Sequence, residues 1–87
     1  MTGKLHFSLV APERELFSGE VDQVLAPGTE GQFGVLSGHA PFMATLASGH
    51  VVVMNGAETT TFQIEGGFAD VNDSGLTILA EKAEIYG

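Results

Sequence analysis

From Lys4 to Val10 the chain reads KLHFSLV, with Leu5, Phe7 and Leu9 on one face and Lys4, His6 and Ser8 on the other. A period of two is that of a strand with one buried side. Ala11-Pro12 breaks this first strand, Glu15, Leu16 and Phe17 form a short second one, and Ser18-Gly19 turns the chain. A third strand over Glu20 to Ala26 leads into PGTEGQFGVLSGHAP, residues 27–41, a glycine-rich loop in which Phe33 to Leu36 pairs briefly. FMATLA is too short to settle a period, and a strand is preferred over a helical turn. HVVVMN follows, its β-branched valines favouring extended backbone. Asn55-Gly56 is a hairpin signal, because both residues tolerate positive φ.

TTTFQIE then alternates, with Phe62 and Ile64 inward and Thr61, Gln63 and Glu65 outward. Gly66-Gly67 turns or bulges the chain into FADV. Asn72-Asp73-Ser74-Gly75 has the composition of a four-residue hairpin loop before the strand LTILA, and EKAEIYG extends that strand or begins another element. No segment carries an apolar stripe of helical period over three turns. Short strands at regular spacing, punctuated by Gly and Asn pairs, predict an all-β chain, an antiparallel β-sandwich or flattened barrel.

Length and composition narrow this to a single domain, residues 1–87. A chain this short buries roughly 60–65 % of its unfolded surface, enough for one core. At 44 % apolar and 16 % charged it is too hydrophobic for a disordered tail. It has no cysteine, which excludes disulfides, thiolate metal sites and cysteine nucleophiles. The amino terminus is neither a signal nor a transit peptide, and no apolar run approaches the about 20 residues that cross a bilayer, so a soluble protein of a reducing cytoplasm is expected. Three basic residues against eleven acidic ones give a charge of −8. That balance argues against nucleic acid and anionic membrane surfaces as partners, and suits a basic protein partner as well as simple solubility.

The stretch 27–41 holds Gly28, Gly31, Gly34, Gly38 and Pro41, and such spending of backbone entropy marks a loop whose shape matters. Its spacing, G-x-x-G-x-x-G, is neither the dinucleotide fingerprint nor the Walker loop. No Lys-Ser/Thr pair and no helix follow, and Glu30 repels an anion. Ser37 approaches the nucleophile-elbow pattern but has Val35 where that pattern needs glycine. His6, His39 and His50 are scattered over different segments, without metal-ligand spacing. No catalytic, cofactor-binding or metal-binding residue is assigned. His39 admits two readings, a ring that fixes the loop through hydrogen bonds or a partner contact. A free-standing β domain that binds a ligand or metal through this loop and His39 is the alternative to a protein-docking role.

Phe17-Ser18-Gly19, then Gly28-x-Glu30-Gly31-x-x-Gly34-Val35-Leu36, Gly38-His39-Ala40-Pro41, Glu65-Gly66-Gly67-Phe68 and Leu79-Ala80 resemble, in order and spacing, the epsilon subunit of the bacterial rotary ATP synthase. The resemblance implies a sandwich of about ten strands and a non-catalytic place at the foot of the central stalk, bound to the gamma subunit and to the polar loops of the membrane c-ring. It also implies a peripheral location on the cytoplasmic face of the bacterial inner membrane, with no direct membrane insertion. Carried over residue by residue, the ring-facing positions are Glu30, Gln32 and His39. Glu30 keeps the family's acidic character, whereas Gln32 replaces an acid of some relatives and Ser37 a frequent proline. Family members commonly continue from a sequence like EKAEIYG into a two-helix hairpin. The resemblance therefore extends to the β domain and not to the hairpin's inhibition or nucleotide binding.

Overall fold

The computed structural model describes residues 3–38 and 40–86. Eight strands follow one another: β1 (Leu5–Ala11), β2 (Arg14–Val21), β3 (Gln23–Gly28), β4 (Gly31–Leu36), β5 (Phe42–Leu46), β6 (Gly49–Asn55), β7 (Glu58–Asn72) and β8 (Gly75–Ile85). Two of them are long, and they build the architecture. The first half of β7 pairs with β6, from Asn55↔Glu58 to Gly49↔Ile64, and its second half with β5, from Leu46↔Gly67 to Phe42↔Val71. β8 accompanies β7 along both halves. One layer is therefore β2-β1-β8-β7-β5 and the other β4-β3-β6-β7-β8, with each long strand giving half its length to each layer. The count of about ten strands expected from the resemblance corresponds to ten strand segments carried on eight continuous strands.

The crossing from layer to layer falls at Gly66-Gly67, where the sequence predicts a turn or bulge. The strand instead runs on through two residues with φ of 70° and 135°. A Cβ on Gly67 would strike the carbonyl oxygen of Leu79 and lie 2.8 Å from the Ala80 Cα. β8 passes too close for any side chain, so only glycine lets the pair bend together.

Two further expectations are corrected. Ser18-Gly19 is not a turn: β1 offers pairing partners as far as Leu5↔Val21, so β2 continues through both residues and the bend comes at Asp22. The third strand thus starts at Gln23 rather than Glu20. The arrangement is also not wholly antiparallel, since β1 runs parallel to β8 from Phe7↔Leu76 to Val10↔Leu79. The β6–β7 hairpin turns on Gly56-Ala57, with Gly56 at a φ of 62° and Asn55 closing the strands. The 72–75 loop is equally tight: Asn72 pairs with Gly75 and its Oδ1 accepts from the Ser74 amide at 2.7 Å, an Asx turn.

The core lies between the layers. Leu5, Phe7 and Leu9 are buried, as their alternation predicts, and Val24, Ala26, Phe62, Ile64, Leu76 and Ile78 meet them from the other strands. Among the described residues, no polar or charged residue is buried. Phe17 bridges the layers, with its ring 5.5 Å from Phe7 in its own sheet and 6.2 Å, edge-on, from Phe62 across the core. Each fully buried Phe, Leu or Ile contributes about 1.5–3 kcal/mol.

Asp22 ties three segments together at the surface. Its carboxylate accepts from Lys4 Nζ at 2.8 Å and from the Gly56 amide at 2.6 Å, and its own amide donates to the Met54 carbonyl. The Lys4 hydrogen bond first, and the Gly56 amide second, hold this carboxyl below the usual aspartate range.

Candidate functional site

Residues 27–36 of the stretch 27–41 are not a loop. β4 pairs with β3 along its whole length, from Gln23↔Leu36 to Gly28↔Gly31, so Gly28, Gly31 and Gly34 belong to a hairpin whose turn is Thr29-Glu30. Once Val24 and Ala26 are buried, the facing residues Val35 and Phe33 can pack on the same core, which extends the brief pairing expected for Phe33–Leu36 to Gly31. The turn is anchored to β5. The Thr29 amide donates to the Thr45 carbonyl at 3.1 Å, their hydroxyls lie 2.8 Å apart, and the Ala47 amide donates to the Pro27 carbonyl at 2.8 Å.

The glycines of this stretch serve different ends. Gly31 and Gly38 have φ of 130° and 83° with open space where a Cβ would stand, so conformation selects them. Gly28 and Gly34 are selected by packing. A Cβ on Gly28 would lie 2.6 Å from the Gly31 carbonyl oxygen, and one on Gly34 would press on Gln23 and Leu25.

Glu30 stands exposed at the tip of the hairpin, with Gln32, also exposed, on the strand behind it. Both border a shallow cleft closed on the other side by Met43 and Thr45 of β5. Gly38 and Pro41 lie at the opposite end of β4, roughly 20 Å away at about 3.4 Å per residue. There they border a second cleft with Lys4, His6, Glu20 and the 72–75 turn. The structure thus brings Glu30 and Gln32 together and sets the other end of the stretch apart from them. His39 lies outside the described residues. His6 contacts Glu20 at 2.9 Å on the exposed face of β1 and β2, and the ring of His50 stacks on Tyr86 with centroids 4.2 Å apart. Among the described residues, no three His, Asp or Glu are grouped to hold a metal ion.

One surface escapes the sequence reading. On the outer face of the layer containing β1, the residues Thr45, Phe68, Leu79 and Val10 lie in register across four strands. Phe68 and Leu79, a cross-strand pair, are each 52 % exposed, and Met43 on β5 is 69 % exposed. Phe68, Leu79 and Val10 line a cleft with Pro12 beside Gly67. Exposed large apolar side chains held side by side on a sheet mark a contact surface for another protein. The signal was present in the alternation: Ala69 and Val71 face in, as do Leu76, Ile78 and Ala80, which forces Phe68 and Leu79 outward.

Comparison with known proteins places these surfaces in context. Residues 4–85 match the model of the family described as ATP synthase, Delta/Epsilon chain, beta-sandwich domain. The ATP synthase epsilon chain of Caulobacter vibrioides is 72 % identical over 80 residues, covering 92 % of this chain and 93 % of that protein. That of Hyphomonas neptunium is 64 % identical over 84 residues, covering 95 % of this chain but 62 % of its own length. Among solved structures, a chain of the Euglena gracilis mitochondrial ATP synthase, in an assembly of OSCP, F1 and c-ring, superposes with a TM-score of 0.89 at 28 % identity, over 98 % of this chain and 55 % of that one.

Proposed function

Because the chain belongs to the ATP synthase delta/epsilon-chain β-sandwich family, we propose that it is the non-catalytic epsilon subunit of the central stalk, joining the gamma subunit to the c-ring during proton-driven ATP synthesis. The observation that carries this reading is the pairing of two different contact surfaces on one packed body. Torque passes through such a body only if both contacts are held by the same core. The apolar row Phe68, Leu79 and Val10 suits a permanent partner and is assigned to gamma. The polar tip, with Glu30 and Gln32, suits the polar loops of the ring, where Glu30 can pair with a basic side chain. Residues 1–87 act as one domain, and the chain is held at the cytoplasmic face of the bacterial inner membrane through the complex. No helix among the described residues is long and apolar enough to cross a membrane.

The test separates the two surfaces. Replacing Phe68 and Leu79 together by Ser is expected to abolish capture by purified gamma while the fold persists, since both side chains are half exposed. Glu30→Lys is expected to leave gamma capture intact and to lower proton-driven ATP synthesis in the reconstituted enzyme. Full capture by the double variant would overturn the gamma assignment, and undiminished synthesis by Glu30→Lys would overturn the ring assignment.

A further inference from the structure

Sheet edges offer unpaired backbone groups to any passing strand, and soluble proteins guard them with charges, bulges or prolines. β2, at one end of the sheet, is guarded by Arg14, Glu15 and Glu20 and by a register shift between Leu9 and Val10 of its partner. The second half of β8, beyond its pairing with β1, carries Glu81, Lys82 and Glu84. β4, at the other end of the sheet, reads GQFGVL, with no charge, no proline and an unbroken register against β3, its one pairing partner among the described residues.

The direction of the free groups on β4 follows from Pro27. Pro27 sits opposite Gln32 and has no N–H, so that pair cannot be one that exchanges two hydrogen bonds. Such pairs alternate along an antiparallel ladder. Gly28 with Gly31, Ala26 with Phe33 and Val24 with Val35 therefore bond each other, and Gln32, Gly34 and Leu36 point their N–H and C=O groups away from β3. The Pro27 carbonyl agrees, since it accepts from Ala47 rather than from β4. Gln32 and Leu36 are exposed, Leu36 at 53 %, and Gly34 presents no side chain to obstruct an approaching backbone.

We infer that β4 is a self-association edge, which in the unassembled chain pairs antiparallel with the β4 of a second copy about a two-fold axis at Gly34. This register is self-complementary: Gly34 meets Gly34, and Gln32 of each copy meets Leu36 of the other. All three outward residues gain partners. The two Glu30 carboxylates fall eight residues apart along the joined strands, about 27 Å, well beyond the screening length of about 8 Å at physiological salt. β4 against β2 or the end of β8 would instead bring that uncharged strand against their ionised side chains. The second copy also continues the outer face of β3, β4 and β6, on which Leu25, Val52 and Met54 are part-buried and Leu36 exposed. So short an edge buries less than a standard interface, and the dimer is weak. Pairing here covers Gln32, so the dimer and the ring contact exclude each other; this consequence alone rests on the function proposed above.

Sedimentation of the isolated chain between about 10 µM and about 1 mM, the range in which small interfaces associate, tests the inference. The chain is expected to shift from monomer to dimer, with amide exchange at Gln32, Gly34 and Leu36 slowing as concentration rises and exchange along β2 unchanged. Gln32→Pro removes one outward N–H without touching a β3 hydrogen bond and is expected to weaken association at least about tenfold. Should that variant unfold by circular dichroism, Leu36→Lys places a charge in the joined face and is expected to do the same. Glu30→Lys, which alters the proposed ring contact, is expected to dimerise as the unaltered chain does, so the two proposals fail separately. A monomer throughout the range, a dimer insensitive to the folded edge variant, or slowed exchange along β2 instead overturns the inference.

Discussion

Two glycine-rich stretches, residues 28–38 and the pair Gly66-Gly67, look alike as sequence and differ in what they do. The first holds more glycines and stands at the rim of the fold, where Gly31 and Gly38 have open space around them and Glu30 projects from the tip. The second lies where β7 and β8 cross from one layer to the other, with the β8 backbone directly against Gly67. Removing freedom from the rim reshapes a surface, whereas removing it from the crossing obstructs the joining of the two layers. Glycine number is therefore a poor guide to glycine importance, and what the missing Cβ would meet is a better one.

The largest effect expected from this contrast is at the crossing. Gly67→Ala forces a side chain into the Leu79 carbonyl at a φ of 135° and should cost about 3 kcal/mol or more in urea unfolding, if the chain folds at all. Gly28→Ala comes next, at about 1–3 kcal/mol, because its Cβ meets backbone at 2.6 Å. Gly34→Ala meets the ends of Gln23 and Leu25 at 3.0–3.1 Å, groups that can move, and should stay within about 1 kcal/mol. If Gly34→Ala proved as damaging as Gly67→Ala, the distinction between rim and crossing would fall.

Two smaller effects sharpen the comparison at the surface. Glu30→Lys should change unfolding free energy by less than about 0.5 kcal/mol, since the side chain is exposed at a turn. A large loss would make that residue structural rather than a contact. Asp22→Asn tests the tie to Lys4 and Gly56. Its carboxyl is held below the ordinary aspartate value in the fold, so its contribution is present above that value and disappears as pH falls through the lower folded one. Acid unfolding curves should show the unaltered chain losing stability below about pH 4 in a step that Asp22→Asn lacks.

Much of this fold was legible in the residues. The alternation in KLHFSLV and TTTFQIE assigned both strand and buried face, because a period of two admits one inward set. Alternation about the inward Ala69, Val71, Leu76, Ile78 and Ala80 likewise turns Phe68 and Leu79 outward. Strand ends were less legible. Ser18-Gly19 reads as a turn by composition, yet β1 supplied a pairing partner and the strand continued. The stretch 27–41 reads as one loop in sequence, but β4 separates the tip at Glu30 from Gly38 and Pro41.

By itself, then, the sequence determined an all-β chain, the buried faces of two of its strands and the family to which it belongs, since local period and spaced motifs survive without knowledge of partners. The tertiary structure decided which strands are neighbours, that β1 and β8 run parallel, that two long strands serve both layers, and that Thr45, Phe68, Leu79 and Val10 form one row. Each of these joins residues distant along the chain. Hydrophobic period specifies a face to be buried, and only the closing of the whole core selects what it is buried against.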